Sequence, residues 1–429
     1  MKEDFIAYLW KHRLIKARPL RTISGEELEI ISPGSENSNS GPDFLAAMIR
    51  IDGTLWAGNV EIHVRSSQWF LHKHHADKAY ANIILHVVYI ADQEVCDESG
   101  KAYQHLEVKD CFDPLLLKNY DSLLRSKQWI ACEKLINVHD PFILRHWLYR
   151  LVIMRLERKS QEVYHYLRYF EYHQEKTLLF LLSRSLGGKA NATAFGLLLQ
   201  RIPYPVIVKN HDHLFALEAL LFGQAGMLQR IFTDDYPQQL QKEFNYIKKK
   251  YMLPPILNNE IWKYSRMRPS NFPDLRIAQL AAIIHKCEAQ LYRRVVNANK
   301  PTDIQYQFVQ SASDYWTTHY RLDKKAGTQK KTIGQHAVNN IIINAVVPLL
   351  FVHAKESRGL KTTDGAIGLL EQLPAENNNI IRRWRQITDS VDNASITQGL
   401  LELRKYYCLP KKCLKCMVGH QVLGGNRGL

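Results

Sequence analysis

At 429 residues the chain is too long for one simple core, so two or three domains are expected. Its 46% hydrophobic and 23% charged content is that of a globular protein and argues against long disordered tails. No apolar run approaches the roughly 20 residues of a spanning helix. The start MKEDFIAYLWKHRL has no apolar signal core, and seven cysteines without regular spacing over most of the chain argue against a disulfide framework. A cytoplasmic protein with no membrane segment is therefore expected.

The net charge of +15 is unevenly placed. Residues 1–110 hold 12 basic and 16 acidic side chains, a net of −4, which leaves +19 for the remaining 319 residues. An acidic head on a basic body suits cation binding in one part and attraction of a polyanion by the other. A basic solvated surface is the ordinary alternative.

In chain order, Phe5, Leu9 and Leu14 with Tyr8 beside them give the first segment a helical period. Strand-like segments follow at 28–32, 44–51 and 55–64, each bounded by Gly, Pro or Asn. Residues 74–81 suit a short helix. Residues 83–90 are apolar throughout, as in a strand buried on both faces, and 105–109 suit a further strand. The head thus reads α-β-β-β-α-β. From Asp113 the pattern turns helical: Asp140–Pro141 is an N-cap followed by Pro at the first helical position, with Leu144, Trp147, Leu148, Leu151 and Val152 recurring behind it. Further helices are predicted over 213–229, 275–292, 335–353 and 377–388, with Pro-containing breaks between them. The fold class is α+β, with a domain over 1–112 and a helical domain over 113–429 that divides again near 230–260.

The segment SGPDFLAAMIRIDGTLWAGNVEIHV, residues 40–64, concentrates the chemistry. Alternation puts Trp56, Gly58, Val60, Ile62 and Val64 on one face and Asn59, Glu61 and His63 on the other. Asp43 stands at the entrance to the preceding strand, after Gly41–Pro42, where a bend aims its carboxylate across the hairpin toward Glu61. Such a pair suits a hard divalent cation, which takes one or two carboxylates plus waters and phosphate oxygens. Each residue also has an ordinary reading: GPD closes a turn, and Glu61 and His63 sit on the solvated face of an edge hairpin.

Proline–aspartate, a hairpin and then Glu-x-His closely resembles the signature of the PD-(D/E)xK nuclease superfamily, with His63 where the lysine usually stands. The element order is similar to that superfamily's restriction-endonuclease-like core. The resemblance covers about a quarter of the chain. It implies that Asp43, Glu61 and the main-chain carbonyl of Ile62 hold Mg2+ or Mn2+, and that His63 takes the water-orienting or base role. An imidazole does not carry the lysine's permanent charge, which Lys78 on the next element restores if it turns toward the site. Through GPDF, GNVEIH, RPSNFP and EALLFGQAG the whole chain also resembles an uncharacterised bacterial family of unknown function.

Around the motif, Asn37 and Asn39 shape its loop or touch phosphate, and Trp69, after Ser66 and Ser67, is buried or stacks on a base. His72, His74 and His75 with Asp77 read as a solvated loop in preference to a metal cluster. His86 reads as a hydrogen-bonded core histidine. Glu29, by its strand position, could supply a carboxylate to a second metal.

CLPKKCLKCMVGH gives Cys408-x4-Cys413-x2-Cys416-x3-His420, compatible with zinc or an iron–sulfur cluster. Cys132 or Cys287 is the alternative to His420 as fourth ligand, and three packed reduced thiols are the alternative to a metal. In the body, Lys248, Lys249 and Lys250, Arg266, Arg268 and Arg276, Lys324, Lys325, Lys330 and Lys331, and Arg382, Arg383 and Arg385 around Trp384 mark basic clusters. Tyr251, Trp262, Tyr264 and Phe272 lie among them, a composition suited to phosphate contacts and stacking on DNA or RNA. The function expected is a divalent-metal-dependent nuclease-like hydrolase. The alternatives are a nucleic-acid-binding protein without turnover and a protein-interaction scaffold.

Overall fold

The computed structural model describes every residue except 17–18, 97–99, 101, 137–140, 299, 357–362, 390 and 425–429. It is mixed α+β, with a sheet-rich N-terminal region followed by a helical one. Two compact units form: residues 1–147 with 402–429, and residues 148–401. The boundary expected at 112 therefore lies further along, and the C-terminal segment belongs with the sheet. Asp140 lies outside the described residues.

In the first unit, helix α1 (Glu3–Lys11) carries acids in its first turn and Lys11 in its last, matching the helix dipole. It buries Phe5, Ile6, Tyr8, Leu9 and Trp10. The strands are β1 (Leu20–Arg21), β2 (Glu27–Ser32), β3 (Ser35–Glu36), β4 (Phe44–Ile51), β5 (Thr54–Arg65), β6 (Ile83–Ile90) and β7 (His105–Glu107). Six run in the order β1-β2-β4-β5-β6-β7, and β3 pairs with β4. Pairing is antiparallel from β1 to β5 and parallel from β5 to β7. The core strands thus lie where the alternation places them; β1 and β3, two residues each, are too short to show a period.

Two local devices set the β4–β5 register. Ile51 pairs with Thr54 across a two-residue turn in which Asp52 and Gly53 both have positive φ (42° and 82°), the Asp-Gly chemistry of a type I′ hairpin. Further along, a bulge between Phe44 and Ala47 adds one residue to β4, with Ala46 at φ 54° and its N–H donated to Asn59 Oδ1. Below the bulge Phe44 pairs with Val60, so the next position, Asp43, stands beside Glu61. Without the extra residue Asp43 would oppose Ile62, and its side chain would turn to the other face.

Val60 and Ile62 point into a core with Ile6, Trp10, Phe44, Ile49, Leu85 and Val87. The opposite face is covered by the β5–β6 crossover, where Trp69, Tyr80, Ile83 and Val95 pack together. The helix expected over 74–81 is replaced by α2 (Gln68–Leu71) and two 3-10 turns, His74–Ala76 and Lys78–Tyr80. Asp77 separates the turns: its backbone is extended and its carboxylate accepts the Ala79 N–H, so no continuous helix crosses it. Glu61 and His63 are therefore covered, and the solvated edge hairpin of the ordinary reading does not form.

The second unit is built of helices around one large core, and it does not divide near 230–260. Helices lie at Leu214–Gln224, Pro273–Lys286 and Asn379–Trp384, close to where periodicity puts them, but 275–292 is not one helix: Glu288 and Ala289 take positive φ (52° and 54°) and Leu291–Val296 starts afresh. Residues 335–356, an α-helix with a π-helical middle, are long and apolar enough to cross a bilayer, with mean hydropathy 1.7. The helix expected over 335–353 is present, and its apolar length corrects the expectation that no run approaches a spanning helix. The segment is 72% buried inside the protein and contributes Ile341, Ile342, Val346 and Phe351 to the helical core.

A candidate metal centre on the sheet

Asp43 and Glu61 converge as their spacing predicts. Glu61 Oε2 accepts the Asp43 N–H at 3.1 Å, and Asp43 Oδ2 accepts the Ile62 N–H at 3.0 Å. The N–H and C=O of one extended residue point the same way, so the Ile62 carbonyl also faces the Asp43 side. Glu61 is only 5% exposed. Among the described residues no lysine or arginine pairs with either carboxylate, and the other charges acting on Asp43 are the acids Glu3, Glu36 and Asp4. Burial pushes Asp43 up to about 6. Burial and then the neighbouring Asp43 push Glu61 up to about 8. Two buried oxygen donors without a counter-ion are a donor set that a divalent cation fits.

The other oxygen of Glu61 faces histidines. His63 Nε2 lies 3.6 Å and His74 Nε2 3.3 Å from Oε1. His63 is 1% exposed and engaged at both ring nitrogens, Nδ1 with His86 Nε2 at 2.8 Å and Nε2 with His72 Nδ1 at 3.1 Å. Burial first, then His74 and His72, lower His63 to about 3, so it is neutral near pH 7. His86 is fully buried and, as its default reading has it, hydrogen-bonded. It stands opposite Glu61 on β5 and His105 on β7, so the three side chains share one face across parallel strands. His105 donates Nδ1–H to Tyr103 O at 2.8 Å.

The reading of 72–77 as a solvated loop is thus corrected for His74, which is half-buried, while His72 stays exposed with its Nδ1 against His63. Lys73 adopts a left-handed conformation (φ 61°) that reverses the chain between them, and His74 packs on Tyr80 at 3.9 Å and Trp69 at 5.4 Å. His75 remains exposed beside Phe70. Trp69 is fully buried, which removes it as a base-stacking surface. The available signal was five histidines within the 24 residues 63–86 around an aromatic crossover; no periodicity announces that four of them meet.

A family model described as a protein of unknown function (DUF2851) matches residues 3–379. The chain belongs to the DUF2851 family. No curated protein and no solved structure matches the chain. The matched span contains all of the carboxylates and histidines above, whereas Cys408, Cys413 and Cys416 follow its end in this DUF2851 chain.

The remaining expected site residues are placed as follows. Asn37 donates its amide to Ser40 O and Pro42 O and receives the Asn39 N–H, so it shapes the loop before Asp43. Asn39 itself is exposed. Lys78 is exposed on its turn and makes no hydrogen bond or ion pair with Asp43 or Glu61. Glu29 pairs with Arg50, away from the site.

His420 does not join the cysteines: its Nδ1 meets Tyr8 Oη at 2.7 Å and its ring lies against His12 at 4.5 Å. Cys132 does. The thiols of Cys416, Cys132 and Cys413 all act on Cys408, after burial, to push it above the usual thiol range. Cys413 and Cys416 bracket a 3-10 turn, and Cys416 accepts the backbone N–H groups of Gly419 and Val418. Cys287 is buried in the helical unit beside Gln307 and is no candidate.

Several basic candidates are corrected in the helical unit. Arg276 is 8% exposed and donates to Gln279 and Asn271, which spends its guanidinium inside the fold. Lys331 is buried, donating to Thr317 O and Gln329 O. Trp262 donates to Ala225 O, and Tyr264 donates to Asp274 Oδ2 with Arg321 over its ring. These aromatics pack the core in place of stacking on bases. Arg266, Arg268 and Lys248, Lys249 and Lys250 are exposed, the lysines on the last turn of Asp235–Lys250 where they complement its dipole.

The two buried titrations give the metal-free protein a pH signature. Glu61 is raised from 4.5 to about 8, so its contribution is complete below pH 4.5 and is lost as pH rises through 8. His63 is lowered from 6.5 to about 3, so its contribution is complete above pH 6.5 and is lost as pH falls toward 3. Between pH 6.5 and 8 only the Glu61 slope remains of the two. The melting temperature of chelator-treated protein is expected to fall across that window, and Glu61→Gln is expected to flatten the fall. An equally steep fall in the variant would assign the slope elsewhere.

Proposed function

We propose that this DUF2851 protein is a divalent-metal-dependent phosphodiester hydrolase acting on nucleic acid, with a nuclease-like site at Asp43 and Glu61. The observation that carries the reading is the reciprocal hydrogen bonding of these carboxylates through the backbone of Asp43 and Ile62 in a buried, acid-rich setting. The order α1, antiparallel β2-β4-β5, short helical crossover and β6 parallel to β5 supports a restriction-endonuclease-like core. Asp43, Glu61 and the Ile62 carbonyl would hold Mg2+ or Mn2+. When bound, the ion lowers the pKa of a water and neutralises charge building on the phosphate. Asp43 and Glu61 then stay ionised at pH 7 because the cation offsets the repulsion that raises them. His63 occupies the position of the resembled lysine. Being neutral, it supplies no permanent charge.

With Mg2+ or Mn2+ the purified protein is expected to cleave DNA or RNA. Asp43→Asn should lower the rate by roughly a hundredfold or more, the kinetic size of losing a few kcal/mol of charge stabilisation. Absence of metal-dependent cleavage, or a variant as active as the parent, would remove the reading.

His63 in place of lysine favours one second reading, a nucleic-acid-binding protein without turnover. Both readings require the basic helical unit to bind phosphate, so affinity for a DNA or RNA oligonucleotide should drop steeply with salt, with a slope of about −0.9 per duplex phosphate contacted. Binding that is insensitive to salt, or no binding, points to the protein-interaction scaffold.

We also propose that Cys132, Cys408, Cys413 and Cys416 hold zinc or an iron–sulfur cluster. Four neighbouring thiols, Cys413 and Cys416 buried and Cys132 and Cys408 partly so, are all raised in pKa and stay protonated until a soft cation draws the protons off. Protein purified without oxygen should contain close to one equivalent of zinc or a full complement of cluster iron, and Cys413→Ser should lose it along with thermal stability. Less than about a tenth of an equivalent, the level of adventitious binding, together with an unchanged melting temperature in the variant, would leave four packed thiols.

A further inference from the structure

One ring nitrogen from each of His63, His72 and His74 lies within 4.8 Å of the other two. His63 Nε2 is 3.1 Å from His72 Nδ1 and 3.6 Å from Glu61 Oε1, and His74 Nε2 is 3.3 Å from the same oxygen. Four ligands bonded at 2.0–2.1 Å in a tetrahedron stand about 3.3 Å apart along each edge. The three measured edges bracket that value. His74 Nε2 is shielded from water and has no hydrogen-bond partner among the described residues, although Glu61 Oε1 is close. A buried lone pair left without a partner is what an absent ligand leaves behind. His63 is braced from behind by the 2.8 Å hydrogen bond between its Nδ1 and His86 Nε2, the kind of outer contact that fixes ring orientation for a metal-bound histidine.

We propose that His63, His72, His74 and Glu61 Oε1 form a binding site for a first-row transition-metal dication of the Zn2+ type, distinct from the oxygen site at Asp43 and Ile62. Three imidazoles select such an ion over Mg2+, which takes oxygen ligands. Glu61 bridges the two sites, Oε2 toward Asp43 and Oε1 toward the histidines. The role of this ion rests on the nuclease reading: it supplies next to the phosphate the fixed positive charge that neutral His63 does not. Its binding does not depend on that reading.

Co2+ added to metal-stripped protein tests the site, because its visible absorption is strong in four-coordinate and weak in six-coordinate surroundings. Beyond any equivalent taken up by the cysteines, which near-ultraviolet thiolate charge transfer would mark, one further equivalent is expected to bind with strong visible bands and no added charge transfer. Zn2+ should displace it, and excess Mg2+ should not. A double variant, His72→Ala with His74→Ala, should weaken Co2+ binding by more than roughly a hundredfold, the upper range for losing only an outer-shell partner. Its melting temperature is expected to fall, because half-buried His74 loses its packing on Tyr80 and Trp69, so His72→Ala alone, at an exposed position, is the stability control and should weaken Co2+ binding with the melting temperature unchanged. A parent protein that gives no such bands, displacement by Mg2+, or an unaffected double variant would overturn the proposal. Bands that depend on His72 and His74 in a protein without nuclease activity would keep the site and remove the nuclease reading. Nuclease activity without the bands would do the reverse.

Discussion

Glu61, buried, and Asp43, half-buried, stand side by side with no lysine or arginine among the described residues to pair with them, and this is the constraint around which the first unit is arranged. Burial and mutual repulsion both favour the neutral acids, and Asp43 and Glu61 are raised accordingly. The chain holds them together by backbone geometry alone. The Asp52–Gly53 turn starts the β4–β5 register and the bulge at Ala46 advances it by one residue, so Asp43 faces Glu61 and shares its side of the sheet. An extended hairpin without that bulge would set Asp43 opposite Ile62 on the core face beside Val60, where a charge has nothing to bind.

The same register extends the site sideways. Parallel pairing sets Glu61 beside His86 and His86 beside His105, and the crossover brings Trp69, His72, His74 and Tyr80 down onto that face. A strand-based site of this kind is stiff, since each donor's backbone is held by the ladder and each ring is packed by an aromatic neighbour. His72 and His74 are the exception. They ride on short turns, which lets them be exposed at one edge and still reach His63.

The helical unit shows how little a charge count says about a surface. Arg276 and Lys331 spend their charge inside the unit, and Trp262 and Tyr264 fill its core. Arg266, Arg268, Lys248, Lys249 and Lys250 remain exposed. The charge imbalance over the chain is real, but burial decides which part of it a polyanion meets.

Period and turn chemistry are local properties. By itself the sequence therefore determined the elements that depend on them: α1, the strands β2, β4, β5 and β6, most of the helices, and the shared face of Glu61 and His63. The Asp43–Glu61 pairing was legible for the same reason, because a short hairpin leaves few places for the residue before its first strand. Only the tertiary structure decided the rest. Asp77 broke a helix by accepting a neighbouring N–H, and Lys73 turned His72 and His74 back toward a strand nine or more residues earlier. Cys132 came to Cys408, 276 positions away in the chain, while His420, four residues from Cys416, went to Tyr8 instead. Such meetings depend on which surfaces pack against which, and neither spacing nor residue type carries that information.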